Sequence, residues 1–133
     1  SVSEIHHLKS REAYKALSAN PRAVLLDVRD PVEYSFVGHP MGAMNVPWKL
    51  APTMNLNNNF VAEVRTRIRD LETPIFLLCR SGQRSLQAAQ ALALAGYRNL
   101  TNIDDGFEGD LNADKHRSTV SGWRYHRLPW EQS

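Results

Sequence analysis

Apolar and polar positions along the chain follow two periods in turn. From Ser10 to Asn20, Ala13, Ala16 and Leu17 recur at helical spacing, with Ser10 as candidate N-cap and Asn20-Pro21 as the stop. That pattern predicts a short amphipathic helix. Ala23 to Val28 is an apolar run closed by Asp27 and Arg29. It is too short for a helix and apolar on both faces, which predicts a buried parallel strand in the centre of a sheet. Asp30-Pro31-Val32-Glu33 supplies an N-cap, a proline at the first helical position and a glutamate three residues after the cap, so a brief helix is expected there. Gly38 to Pro47, rich in Gly, Pro, Asn and Ala, predicts a loop with a short strand near Met44 to Val46.

The second half repeats the alternation. Asn55 to Asn59 is polar and turn-forming, and Phe60 to Leu71 places Phe60, Val64, Ile68 and Leu71 on one helical face. Ile75 to Leu78 predicts a second buried strand that runs into Cys79 and a polar turn, CRSGQRS, before a helix over Leu86 to Ala95 closed by Gly96. Asn99 to Ile103 predicts one more strand. Strands alternating with helices imply an α/β fold whose central, mainly parallel sheet is covered by helices on both faces. The chain has no internal repeat and no low-complexity stretch.

Composition narrows this picture only in places. A chain of 133 residues with 42% hydrophobic content is expected to form one domain, residues 1–133. The formal charge of +2 is spread among acidic residues without a basic stripe, so no nucleic-acid partner is expected. One cysteine forms no internal disulfide, which leaves packing to hold the fold and favours a reducing compartment. No apolar run approaches the roughly 18 residues needed to cross a bilayer. The N-terminal SVSEIHHLKS also lacks an apolar signal core. The expectation is a cytoplasmic protein without a membrane partner, with prior removal of an export signal left open.

The candidate chemistry centres on Cys79. At a strand-to-helix junction the turn's N–H groups and the positive end of the helix dipole point toward the sulfur, and Arg80 and Arg84 add cationic charge. Such surroundings favour a nucleophilic thiolate. Gly82, free of a Cβ, can take a positive φ and let the loop curl into an anion-binding nest. The competing structural reading makes Cys79 a small buried hydrophobe, but burial does not call for two arginines and a glycine in the next five residues. Elsewhere, His6, His7, His116 and His126 show no metal-ligand spacing, and adjacent His6 and His7 are expected to be solvated. Asp104, Asp105, Glu108, Asp110 and Asp114 lack the terminal glutamate of a calcium loop and read as a solvated loop. Trp48, Trp123 and Trp130 read as packing residues, with Trp48 or Phe107 as candidates for the site rim.

Four stretches, LLDVRDPVEY, GHPMGAMNVP, LLCRSGQRS and AGYRNLTNIDDG, resemble in order and spacing the motifs of rhodanese domains over about residues 24–106. The resemblance implies a doubly wound α/β domain and a thiosulfate sulfurtransferase. Cys79 is then the catalytic nucleophile at the base of a substrate-binding loop formed by Arg80, Ser81, Gly82, Gln83, Arg84 and Ser85. It further implies structural roles near the site for Asp27, Arg29 and Glu33. Pro40 and Asp105 depart from the pattern: an aliphatic residue is usual after Gly-His, and a Gly-Gly pair is common where Asp105 stands. A polar insertion over 107–121 precedes the C-terminal segment 122–133.

Related phosphatases and arsenate reductases place five residues between cysteine and arginine. Here four, Arg80 to Gln83, separate Cys79 from Arg84, and Ser85 stands where such a phosphatase would have its arginine. The shorter loop suits one sulfur atom on Cys79. The expected reaction takes sulfane sulfur from a small anionic donor such as thiosulfate and passes it to a thiol, cyanide or protein acceptor, with no metal and no organic cofactor. A phosphatase or arsenate reductase on the same fold, and a non-catalytic binding module, remain the alternatives.

Overall fold

The computed structural model describes residues 4–50, 53 and 55–132. The elements run β1 (Ile5–Leu8), α1 (Ser10–Ala19), β2 (Val24–Asp27), a π-helical turn (Glu33–Val37), β3 (His39–Pro40), β4 (Met44–Asn45), β5 (Lys49–Leu50) and β6 (Asn55–Leu56). They continue with α2 (Phe60–Arg67), β7 (Ile75–Leu78), α3 (Gln83–Leu94), β8 (Leu100–Ile103) and β9 (Trp130–Glu131). Five strands form one parallel sheet in the order β1-β8-β7-β2-β4. Successive side chains of a strand face opposite ways, so the apolar strands serve two cores. Leu26, Ile75 and Leu77 meet α2 and α3 through Phe60, Val64, Ala88, Ala89 and Leu92. Leu25, Phe76 and Leu78 meet α1 through Ala13, with Phe107 and Trp123 completing the cluster. The expected α/β architecture, helices on both faces of a parallel sheet, is the one observed.

Several element boundaries differ from expectation, each for a local reason. Helix α1 begins at Ser10 rather than being capped by it. The buried carboxylate of Asp105 accepts from the Ser10 N–H and hydroxyl, at 2.8 Å each, and from the Gly122 N–H at 3.0 Å. Asp105 is therefore a cap supplied from across the fold and not part of a solvated loop; Asp110 and Asp114 are exposed, as expected. Asp30 does cap its turn, accepting from the Val32 and Glu33 N–H groups at 2.9 and 3.2 Å. Helix α2 stops at Arg67 instead of reaching Leu71. Asp70 folds the chain into a turn, its carboxylate taking the Glu72 N–H and its carbonyl the Thr73 N–H. Helix α3 starts at Gln83, three residues earlier than its apolar pattern, because Gly82 turns the chain with φ of 105°.

The C-terminal segment closes the α1 side. Trp123 is buried and its indole N–H donates to the Pro129 carbonyl at 2.8 Å, while β9 pairs antiparallel with β3. Among the described residues no helix is long and apolar enough to cross a membrane.

Candidate active site

The site lies at the carboxyl edge of the sheet, where parallel α/β folds commonly bind ligands. Strand β7 ends at Leu78, and Cys79 follows as the first residue of a loop that feeds α3. Two anchors hold this loop. Beneath it, the Cys79 carbonyl accepts from the Phe107 N–H at 2.8 Å, and the Arg80 carbonyl from the Glu108 and Gly109 N–H groups at 3.0 and 3.1 Å. Gly106 permits that approach, since a Cβ there would press on the carbonyls of Cys79 and Arg80. Beside it, Gly82 lies against Asp104, where a Cβ would run into the Asp104 carbonyl oxygen.

With its carbonyls tied back, the loop leaves donors free. Gly82 N–H donates to the Cys79 sulfur at 3.1 Å, and the Ser85 hydroxyl lies 3.3 Å from it. The N–H groups of Arg80, Ser81, Gln83, Arg84 and Ser85 have no acceptor among the described residues, the last three being first-turn groups that a helix cannot satisfy itself. Cys79, only 1% exposed, sits at the base of a cavity of about 150 Å³ lined also by Arg80, Ser81, Gln83 and Arg84. A small cavity with free N–H groups, two cations and a helix N-terminus suits a small anion.

The two arginines are not equivalent. Arg80 is exposed and has no carboxylate partner among the described residues. Arg84 forms a two-pronged pair with Glu33, at 2.7 and 3.0 Å, half-buried beside the cavity. Burial pushes the Glu33 carboxyl up, but hydrogen bonds from Arg84 and Asp30 and the Arg84 and Arg29 charges outweigh it and hold the group below its ordinary range. Burial likewise works against the charge of Arg84, yet Glu33 and the neighbouring Cys79 and Asp30 charges raise its ionisation further. Asp30 moves the other way, raised by its own burial and by Glu33.

Asp27 and Arg29 stand one layer back. They form a fully buried pair at 2.6 Å, with Arg29 also donating to the Gly38 carbonyl and its guanidinium 4.7 Å above the Phe107 ring. The remaining Arg29 nitrogen, Nη1, is buried without a hydrogen bond. Phe107 is thus a buried support for the Cys79 carbonyl and does not rim the cavity. Trp48 does not line it either; its ring packs edge-on against Phe60 and its N–H reaches Gln87. His6 and His7 are exposed, and His7 bonds Asp104 at 2.8 Å, whereas His39 is buried and stacked on Tyr34 at 3.7 Å. No group of three or more metal-ligating side chains occurs among the described residues.

The sequence reading missed Asn102. This buried β8 residue bonds the Ser85 hydroxyl, the Gly82 carbonyl and Asp104. Its signal was available: an amide inside an otherwise buried strand, Leu100-Thr101-Asn102-Ile103, needs partners to offset its desolvation.

Comparisons with known proteins agree with this geometry. Residues 10–113 match the Rhodanese-like domain family. An uncharacterized Rickettsia prowazekii protein, RP600, is 40% identical, the match covering 96% of this chain and 98% of that one. The thiosulfate sulfurtransferase GlpE of Pseudomonas entomophila is 37% identical over 86 residues, covering 65% of this chain and 68% of GlpE. The crystal structure of Rv0390 from M. tuberculosis superposes with a TM-score of 0.88 at 41% identity, covering 98% of this chain and 99% of that one. The chain belongs to the rhodanese-like domain family, a family of sulfurtransferase type.

Proposed function

We propose that this chain is a sulfurtransferase that takes sulfane sulfur from a small anionic donor of the thiosulfate kind and carries it as a Cys79 persulfide. The observation that carries the reading is the Cys79 sulfur at the base of a small cavity whose loop N–H groups, those of Arg80, Ser81, Gln83, Arg84 and Ser85, have no acceptor among the described residues. The Cys79 thiolate attacks the outer sulfur of thiosulfate. A sulfur–sulfur bond to Sγ forms as the donor's own sulfur–sulfur bond breaks, and the electron pair leaves with sulfite. The outer persulfide sulfur then carries the negative charge into the free N–H groups, which are in place before it arrives. A thiol, cyanide or a protein nucleophile attacks that outer sulfur, and Sγ departs as thiolate. Arg80, exposed and without a carboxylate partner among the described residues, attracts the dianionic donor, while Arg84 shares its charge between the cavity and Glu33.

The loop of four residues between Cys79 and Arg84, one fewer than in the related phosphatases, disfavours phosphoryl transfer. Turnover of thiosulfate with cyanide, measured beside hydrolysis of an aryl phosphate, tests the choice. The expected result is thiocyanate formation that disappears in Cys79→Ser, with no phosphate release above background. Cys79-dependent phosphate release without thiocyanate overturns the proposal.

A further inference from the structure

Asn102 reaches both the Gly82 carbonyl of the loop and the hydroxyl of Ser85. Its Nδ2 lies 3.1 Å from the Gly82 carbonyl oxygen and 2.8 Å from Asp104 Oδ1, and both of these are acceptors. Turning the amide over would set oxygen against oxygen at two contacts, so the orientation is dictated by its partners. Oδ1 therefore faces Ser85 Oγ, 2.5 Å away. The Ser85 hydroxyl has a single proton and three atoms within reach that could accept it: Asn102 Oδ1 at 2.5 Å, the Gly82 carbonyl at 3.2 Å and Cys79 Sγ at 3.3 Å. The shortest contact takes it.

We propose that Asn102 is a positioning residue that competes with the Cys79 sulfur for the one hydroxyl proton of Ser85. The inference rests on Cys79 being the nucleophile, and it deepens that reading. With the proton held by Asn102, Ser85 presents a lone pair toward Cys79, which can accept the S–H of the neutral thiol. A charged sulfur keeps the Gly82 N–H but receives the serine proton only if the hydroxyl turns away from Asn102. The thiolate is then less stabilised than two donors would make it and keeps more of its nucleophilicity. Other charged groups stand around the sulfur without touching this hydroxyl: Arg80 and Arg84 line the cavity with it, Asp30 and Glu33 from the segment after β2 face Arg84, and Asp104 with its partner His7 lies beyond the Asn102 amide.

The test is the pH dependence of Cys79 alkylation by iodoacetamide in wild type, Ser85→Ala, Asn102→Ala and the double variant. Asn102→Ala should move the profile about one pH unit toward acid, with alkylation about threefold faster below the midpoint and slower above it, because the freed hydroxyl now serves the thiolate and takes part of its nucleophilicity. That gain should vanish in the double variant. Ser85→Ala alone should change the rate less than about twofold, since in wild type its proton is spent on Asn102. An equal gain from Asn102→Ala with or without Ser85 would trace the effect to loop distortion and overturn the proposal. Should Asn102→Ala fail to fold, Ser85→Ala still decides: a midpoint moved about one pH unit toward alkaline places the proton on the sulfur and refutes it. Sulfur loading from thiosulfate, read by mass on the same samples, reports separately on the function, so failure of loading is not confused with failure of the proton competition.

Discussion

At the scale of single residues, the two arginines of one loop do different work. Arg80 has no carboxylate partner among the described residues, so Arg80→Gln should raise the KM for thiosulfate about threefold at low salt and leave kcat nearly unchanged. Steady-state kinetics across a salt series checks this, because screening should shrink the difference. Arg84 holds Glu33, and that pair has a pH signature. The Glu33 carboxyl lies below its ordinary value of 4.5 in the folded chain. Its stabilisation is thus fully present above about that pH and is lost as pH falls through the lower folded-state value. Asp30, raised from 3.8, acts in the opposite sense and favours folding most in acid, which is why wild type must be compared with a variant. Glu33→Gln should cost ~1 kcal/mol at pH 7 by denaturant titration, a half-buried charged pair being partly screened, and the cost should fade as pH falls below 4.5. The presence of Arg80 and Arg84 near the site was legible from their spacing to Cys79, and that of Glu33 only from the family resemblance. The division of labour was not, because a partner 51 positions away in sequence decides it.

Among the elements, the β7–loop–α3 unit was the most legible, since a four-residue apolar strand running into Cys79 and Gly82 has few alternative readings. Even there the helix begins at Gln83, because polar first-turn residues facing a cavity leave no apolar period to read. Strand β1 escaped notice for a related reason. Ile5-His6-His7-Leu8 neither alternates nor forms an apolar run, and only pairing with β8 makes it a strand. Strands β3 and β9 likewise depend on residues about ninety positions apart. Asp105 was misread because its partners, Ser10 and Gly122, come from two distant segments. The loop itself has a point of failure at Gly82, which combines a φ of 105° with contact against Asp104. Gly82→Ala should destabilise the fold by about 1–3 kcal/mol and, by displacing the N–H that bonds the sulfur, lower kcat for sulfur transfer at least tenfold. Denaturation and turnover measured together check it. Unchanged turnover would mean that the left-handed turn is dispensable.

For the whole molecule, a parallel sheet packed on both faces fixes the carboxyl ends of its strands, and the candidate chemistry stands on that edge. The buried Asp27–Arg29 pair and Phe107 transmit this rigidity to the Cys79 carbonyl from one side. From the other, Asn102 links β8 to the loop through the Gly82 carbonyl. Apolar periodicity foretold the layers, while the two stays behind the loop depend on contacts between separate strands. The proposed sulfur transfer requires such a scaffold to hold one sulfur atom on Cys79 without moving its backbone, and this can be weighed directly. Intact-protein mass spectrometry after incubation with thiosulfate and removal of excess donor should find wild type heavier by one sulfur atom. Cyanide should then remove that mass, and Cys79→Ser should never acquire it. A wild-type mass unchanged by thiosulfate, or an equal gain in Cys79→Ser, would contradict the persulfide account.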